Sequence, residues 1–527
     1  MGQPARQLNG AGQQDRVNDF LKEALAALDA GDRELAAQRC QQVLALEPNH
    51  VGALNAMTRL ALQADMKNTA LRYAVQLLQV AGDNAEVYEL VGVVFLELGR
   101  HEAAGAALRE AMRLDPDRQS ALDNYSLVLQ AQGKDEERIA FLEALLAVRK
   151  TSSRLWYSYS EARHFPPGAP EVSRVRRILK QPGHDLESRA QLQFALGKML
   201  ADGEDHVGAF RAFEAGNRLK CQSEAKHVKR WRDGFWRARA AAIAAFFNRD
   251  RLAEWAAAGV SRRGLTFVVG PPRAGKTLLE NALAAHPALV PYAERAVVEE
   301  VLKRHGVLES FPLVLEGAGL DVLAALGGRL DSAWGERPRQ GIASHLVTTP
   351  GNIFYAGLLL SLEPSAQLVL CRRDPFQNAL AIYMKWFAKA HPYAWALDTI
   401  AEQIAIYDAL GMHWQRCFPD RVTTVNYDEM VTDPDTTTGR VLAAHGLEWD
   451  PACADGRAVA AQPDRVGLSG SSARRSTVDP TFSRIAEIYA AQRERFDGEY
   501  AEACRRVEQA WQAAGLSLPD GLYRARP

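Results

Sequence analysis

Gly99 and Gly133 are 34 residues apart, and Gly31 precedes Gly99 by twice that interval. Pro48 and Pro116 repeat the doubled step, as do Ala36 and Ala104. No other feature restricts the fold as tightly. A chain that returns to the same local chemistry every 34 residues must build the same small unit repeatedly. The contexts are "LDAGDRELAAQ", "LELGRHEAAGA" and "QAQGKDEERIA". Glycine ends the first helix of each pair, and the small alanine after it lets two helices approach closely. Proline stops the second helix. Four units are predicted, at 17–50, 51–84, 85–118 and 119–152. The second is degenerate, with "QADMKNTALRY" where the glycine turn is expected.

This helix–turn–helix period resembles the tetratricopeptide repeat. The resemblance implies an all-α solenoid over 17–152, each unit burying the apolar face of the next. Its concave face is a candidate groove for a peptide or protein; scaffolding or a homodimer contact is the alternative use. Residues 1–16, "MGQPARQLNGAGQQDR", are polar and are expected to be disordered. They lack the apolar run of a secretory signal. Residues 153–256 form a helical extension without the period. There Trp156, Tyr157 and Tyr159 in "LWYSYSEARHF" are expected to pack between helices. "HVKRWRDGFWRARAAA" interleaves Lys229, Arg230, Arg232, Arg237 and Arg239 with Trp231, Phe235 and Trp236. Such a run either grips an acidic acceptor or forms an amphipathic helix with a solvated basic face. Residues 257–264 read as a linker.

The 527 residues carry a net charge of −1. No whole-protein field draws in nucleic acid, so any anion site must be local. No run of 18 apolar residues is present, and no membrane span is expected. Six cysteines lie without C-x-x-C spacing, which argues against a zinc site or a disulfide framework and fits a cytoplasmic setting.

From Leu265 the pattern changes. "LTFVV" is a β-rich run, "GPPRAGKT" a glycine loop, and "KTLLENALAAH" has helical period. Strand, loop and helix N-terminus together make an anion site, where backbone N–H groups converge at the positive end of a helix. Further strand candidates are 340–346, 367–371 and 422–426. Alternating strands and helices predict a doubly wound parallel sheet over 265–515, with ligand at the strands' carboxyl ends and a tail at 516–527. The loop reads as G-x-x-x-x-G-K-T, the phosphate loop of triphosphatases, or as P-R-x-G-x-T-L. A triphosphatase also needs an acidic Mg²⁺ ligand at a neighbouring strand end. The best candidate strand runs into "CRRDP", where Arg372 and Arg373 precede Asp374 and suit a second anionic group better than a metal.

Three segments carry a more specific resemblance. "VVGPPRAGKTLLENALAAHPALVPYAE" resembles the 5′-phosphosulfate loop of sulfotransferases. "TTPGNIFYAGLLLSLEPSAQLVLCRRDPFQNALAIYMKWF" resembles their next signature, and "HWQRCFPDRVTTVNYDEMVTDP" the third. Together they cover about 260–500. Bacterial sulfotransferases with N-terminal tetratricopeptide repeats have this arrangement, and the tyrosylprotein sulfotransferases are similar in the catalytic part. The resemblance implies transfer of sulfuryl from 3′-phosphoadenosine 5′-phosphosulfate to a hydroxyl acceptor, without a metal. The acceptor is a peptide or protein tyrosine, a saccharide or a small molecule. It implies that Arg273, Ala274, Gly275, Lys276, Thr277 and Leu278 hold the 5′-phosphosulfate and Arg373 the 3′-phosphate. Tyr427 lies near the nucleotide, and Ser469 and Arg474 belong to a C-terminal cofactor loop. Glu294, 21 residues after Arg273, matches the glutamate of the tyrosylprotein enzymes and is the candidate base.

Four positions depart from the family pattern. Ala274 replaces a serine and Lys276 a threonine. Ala381 stands where a serine commonly binds the 3′-phosphate, and Thr348 where a catalytic lysine or histidine is usual. Lys276 is the candidate to restore that cation, and His345 is a further acid–base candidate. The alternatives left open are a domain using another nucleotide, an ATP-dependent kinase or triphosphatase, and a non-catalytic repeat scaffold with an inactive domain.

Overall fold

The computed structural model describes residues 10–30, 32–63, 66–255, 264–292, 297–334, 341–387, 391–454 and 484–518. The chain divides into two compact units, residues 1–141 and 142–527. The division falls inside the helix Asp135–Val148, ahead of the boundary that the repeat period predicts.

The helices pair as the period requires: Gly10–Ala30 with Arg33–Leu46, Val51–Gln63 with Lys67–Val80, Ala85–Glu97 with His101–Leu114, and Gln119–Gln132 with Asp135–Val148. Gly99 and Gly133 close first helices in left-handed backbone, with φ of 69° and 72°. Gly31 lies outside the described residues. Ala36 and Ala104 are fully buried where the helices meet. The degenerate second pair forms without its glycine, the Met66 N–H donating to the Ala61 carbonyl at 2.8 Å. One expectation is corrected. The first helix begins at Gly10, so residues 10–16 are helical. Gln13, Gln14 and Arg16 are good helix formers, and polarity by itself does not disfavour a helix.

The second unit is built on five parallel strands: β1 (Leu265–Val269), β2 (Leu289–Tyr292), β3 (Ser344–Val347), β4 (Gln367–Arg372) and β5 (Val422–Asn426). Their order is β2-β3-β1-β4-β5. The side chains alternate between two cores. Leu265, Phe267 and Val269 of β1 join Leu368 and Leu370 of β4 on one face. Val268 joins Val369 and Cys371 on the other, with Leu279, Leu283 and Val441. A sheet buried on both faces explains why β1 reads as an unbroken apolar run. β2 was not among the expected strands. Its sequence "LVPY" contains Pro291, which cannot donate to a ladder. β2 tolerates it because it is an edge strand, paired only with β3 among the described residues.

The helical extension is part of this unit. Ala240, Ile243, Phe246 and Phe247 enter the same core as Phe267 and Leu368. The helix Leu397–Cys417 and the last helix, Arg493–Ala513, cover that face as well, the latter with Phe496, Cys504, Val507 and Trp511. The basic run divides: on the helix Ala225–Arg232, Lys229 and Arg230 are exposed opposite the buried Val228 and Trp231, the solvated face of the sequence reading, whereas the arginines that follow are tied down. Arg232 pairs with Asp398 at 2.9 Å, Arg237 with Glu402 at 3.0 Å, and Arg239 donates to the Leu308 carbonyl. Trp231 and Trp236 stack with ring centroids 5.5 Å apart, and Trp231 also meets Tyr393. Trp156 and Tyr159 are buried in helix packing, as expected. No disulfide joins the six cysteines. Among the described residues no helix is long and apolar enough to cross a membrane.

Candidate active site

The glycine loop leaves β1 at Val269 and enters the helix Lys276–Ala284. A side chain on Gly270 would run into the carbonyl oxygen of Cys371 on β4. Gly275 has φ of 91°, and a Cβ there would lie 2.8 Å from Tyr427 Cδ2. Arg273 is left-handed too, with φ of 67°. For a residue with a side chain this costs about 1–2 kcal/mol. The conformation turns the loop back on itself so that the first N–H groups of the following helix are left for a ligand. Ala274 faces inward and packs with Val268, Leu279 and Val369, which accounts for an apolar residue at that position. Thr277 and Leu278 are half-buried in the first helical turn. The buried Lys276 folds back along the loop. Its Nζ donates to the carbonyls of Gly270 at 3.0 Å and Pro271 at 2.8 Å.

The two arginines at the end of β4 part company. Arg372 pairs with Asp408 at 2.8 Å, and Tyr500 donates to the same carboxylate. That pair holds the Arg372 pKa up. Arg373 turns to the loop. It donates to the Arg273 carbonyl and the Gln377 side chain, each at 3.3 Å, and lies 4.0 Å from the centroid of the Tyr427 ring. Burial pulls the Arg373 pKa down, opposed by Tyr427 and Asp428, whose own carboxyl is pushed up by burial. A buried cation held this way favours an anionic ligand. Asp374 accepts from the Gln377 N–H at 2.9 Å as the cap of the helix Pro375–Tyr383. On that helix, Asn378 donates to the Pro272 carbonyl and Ala381 is buried without offering a polar group.

The carboxyl edge therefore gathers Arg273, Ala274, Gly275, Lys276, Thr277, Leu278, Arg373 and Tyr427. Thr348 follows β3 on the same edge, and its buried hydroxyl has no hydrogen-bond partner among the described residues. His345 is not part of this group. It pairs in register with Leu265, the first residue of β1, whereas the loop leaves from the last. About 13 Å of strand separates the two ends. Glu294, Ser469 and Arg474 lie outside the described residues. The sequence reading missed His391, a half-buried histidine on which the charge of Lys276 acts. Its neighbours Phe387 and Tyr393 mark an aromatic cluster in the sequence, but nothing there ties it to the loop.

Residues 266–451, which take in the five strands apart from Leu265, the first residue of β1, match the sulfotransferase family, and residues 85–118 match the tetratricopeptide repeat. This is a sulfotransferase-family domain following tetratricopeptide repeats. An uncharacterized protein of Aquifex aeolicus is 24% identical over 414 residues, covering 75% of this chain and 52% of its own length. The chain thus spans about half of that relative. An uncharacterized protein of Sinorhizobium fredii is 28% identical over 134 residues, 25% of this chain and 71% of that protein. Among solved structures, the pilF protein of Pseudomonas aeruginosa is similar at 20% identity with a TM-score of 0.31, covering 40% of this chain and 93% of that one. The sulfotransferase domain implies a sulfate donor. The loop amides, two arginines, a lysine and the unpartnered Thr348 hydroxyl fit an anion with more than one charged end.

Proposed function

We propose that the second unit transfers a sulfuryl group from 3′-phosphoadenosine 5′-phosphosulfate to a hydroxyl acceptor. The observation that carries this reading is the placing of Arg373, which is buried at the end of β4, bonded to the loop at Arg273 and stacked on Tyr427. One edge thereby holds two cationic receptors, the loop and Arg373, for the two anionic ends of one nucleotide. In this reading Arg273, Lys276 and the N–H groups of the loop and first helical turn hold the phosphosulfate, and Arg373 holds the 3′-phosphate. Tyr427 contacts the nucleotide, and Ser469 and Arg474 complete its binding. The donor supplies an activated sulfur–oxygen bond. The chain orients it and offsets the charge that grows on the leaving phosphate. Lys276 serves this end by exchanging its loop carbonyls for donor oxygens, and Glu294 takes the acceptor's proton. The acceptor is a peptide or protein tyrosine recruited by the repeats, since solenoids present extended binding surfaces.

A triphosphatase would need a carboxylate near β4 free to hold Mg²⁺. Asp374 instead caps a helix, with Arg493 3.7 Å away. The deciding experiment is calorimetry with 3′-phosphoadenosine 5′-phosphate and with ATP–Mg²⁺, on the wild type, Arg373→Ala and Lys276→Ala. Tight binding of the bisphosphate, weakened at least tenfold in both variants, is expected. A preference for ATP–Mg²⁺ would overturn the reading.

A further inference from the structure

The two arginines at the end of β4 are held by partners of different kinds. Arg372 Nε lies 2.8 Å from a carboxylate oxygen of Asp408, which matches its charge inside the protein. Arg373 is held through neutral oxygens. Its Nη1 donates to the Arg273 carbonyl on the loop, and a single atom, Oε1 of Gln377, accepts from both Nε and Nη2. All three distances are 3.3 Å. That is longer than the roughly 2.7–2.9 Å usual for a guanidinium on a carboxylate. The edge formed by Nε and Nη2 is one on which a phosphate can seat two oxygens. Here it carries one amide oxygen, a weak and uncharged contact that an anion can replace.

Gln377 is fitted to that exchange. It is half-buried in the first turn of the helix Pro375–Tyr383, and its backbone N–H is already taken by the Asp374 cap. The guanidinium presents only donors, so the amide must turn its oxygen to Arg373. This leaves the amide NH2, which donates to nothing among the described residues. Oxygen and NH2 share one planar group whose last torsion is soft, so rotation exchanges them at little cost. The neighbouring Asn378 gives its own NH2 to the Pro272 carbonyl. One turn further on, buried Ala381 offers only a methyl group.

We propose that Gln377 is a specificity-determining residue of the donor site. Its oxygen occupies the Arg373 edge while the site is empty. When the nucleotide arrives, Gln377 yields that edge to the 3′-phosphate and donates its NH2 to the same group. This rests on the reading above, in which Arg373 holds the 3′-phosphate. The phosphate gains two guanidinium hydrogen bonds and one from the amide, in place of two long contacts. A carboxylate at 377 would keep the guanidinium for itself and could not donate; a neutral amide leaves the charge of Arg373 to the ligand.

The test is calorimetry with 3′-phosphoadenosine 5′-phosphate and with adenosine 5′-phosphate, which lacks only the 3′-phosphate, on the wild type, Gln377→Leu and Gln377→Lys. The wild type is expected to bind the bisphosphate at least about tenfold more tightly than the monophosphate. Gln377→Leu keeps the bulk without the amide. It should cut that preference about tenfold, the loss of one hydrogen bond to a charged group, and leave the monophosphate affinity within about twofold. Gln377→Lys cannot accept from Arg373 but can donate to a phosphate, and should keep the preference. If the preference survives in Gln377→Leu, Gln377 does not touch the ligand. If it is lost alike in both variants, Gln377 only holds Arg373 in place. Either result overturns this inference and leaves the donor reading standing. A wild type that binds the two nucleotides equally, or binds neither, overturns the donor reading and this inference with it.

Discussion

Lys220 offers a test of what holds the second unit together. Its ammonium is buried against two indole rings, and its nearest carboxylate, Glu187 at 3.3 Å, is 42% exposed. Each desolvated cation–π contact contributes about 2 kcal/mol. The pair with half-exposed Glu187 adds under about 1 kcal/mol. Against these stands the cost of burying the ammonium, several kcal/mol. Charge therefore nearly cancels, and the side chain's packing decides. Lys220→Met keeps the length and most of the volume, and is expected to change stability by no more than about 1 kcal/mol. Lys220→Ala removes three methylenes, about 2.4 kcal/mol of burial, and leaves a cavity, for a total of about 3–4 kcal/mol. Urea unfolding followed by tryptophan fluorescence isolates the effect. All 10 tryptophans lie at position 156 or later, so the signal comes from the second unit. If Lys220→Met proves as damaging as Lys220→Ala, the charge rather than the packing holds the clamp, and the reasoning is refuted.

Gly275→Ala forces a side chain into left-handed backbone and against Tyr427. It should destabilise the unit by roughly 1–2 kcal/mol and weaken bisphosphate binding about tenfold or more by pushing Tyr427 off Arg373; unchanged affinity in calorimetry would refute the stacked arrangement. His413 and His445 are both held below the usual histidine pKa by burial, with His445 wedged between Thr266 Oγ1 and the Val441 carbonyl. The unfolded chain takes up the extra protons, so this stability is complete above about pH 6.5 and is lost as the pH falls through that value, at up to about 1.4 kcal/mol per unit for each histidine. The tryptophan unfolding midpoint should therefore drop between pH 7 and 5.5, and a level midpoint would contradict the buried, neutral histidines.

Local chemistry was legible in the sequence where it repeats or where it forms a contiguous motif. The 34-residue spacing located all four helix pairs, because glycine, alanine and proline act on their own turns. The loop with Arg273, Gly275 and Lys276 was legible for the same reason, and Arg373 through its neighbours. Contacts that depend on chain crossing were not. The partners of Arg232 and Arg237 lie 166 and 165 residues downstream, so nothing local set these two arginines apart from the exposed Lys229 and Arg230. His345 drew notice by its nearness to a strand end, but register, not sequence distance, decides which end of the sheet a residue occupies. Asn378 is 106 positions beyond Pro272 and donates to its carbonyl only because the helix after β4 returns over the loop. β2 escaped because its proline is tolerated only at an edge, and edges are a property of the assembled sheet.

The last helix has a consequence for biosynthesis. One face of the sheet is covered partly by residues made before β1 and partly by Arg493–Ala513, made 87 residues after β5 ends at Asn426. At the usual pace of translation, about 5–20 residues per second, the ribosome takes roughly 4–17 s to cross that interval. For that time the strands exist while the slot for Phe496, Val507 and Trp511 stands open to water. The nascent chain thus presents an apolar surface to chaperones late in its synthesis, and a stop codon just before Arg493 would leave that surface exposed for good.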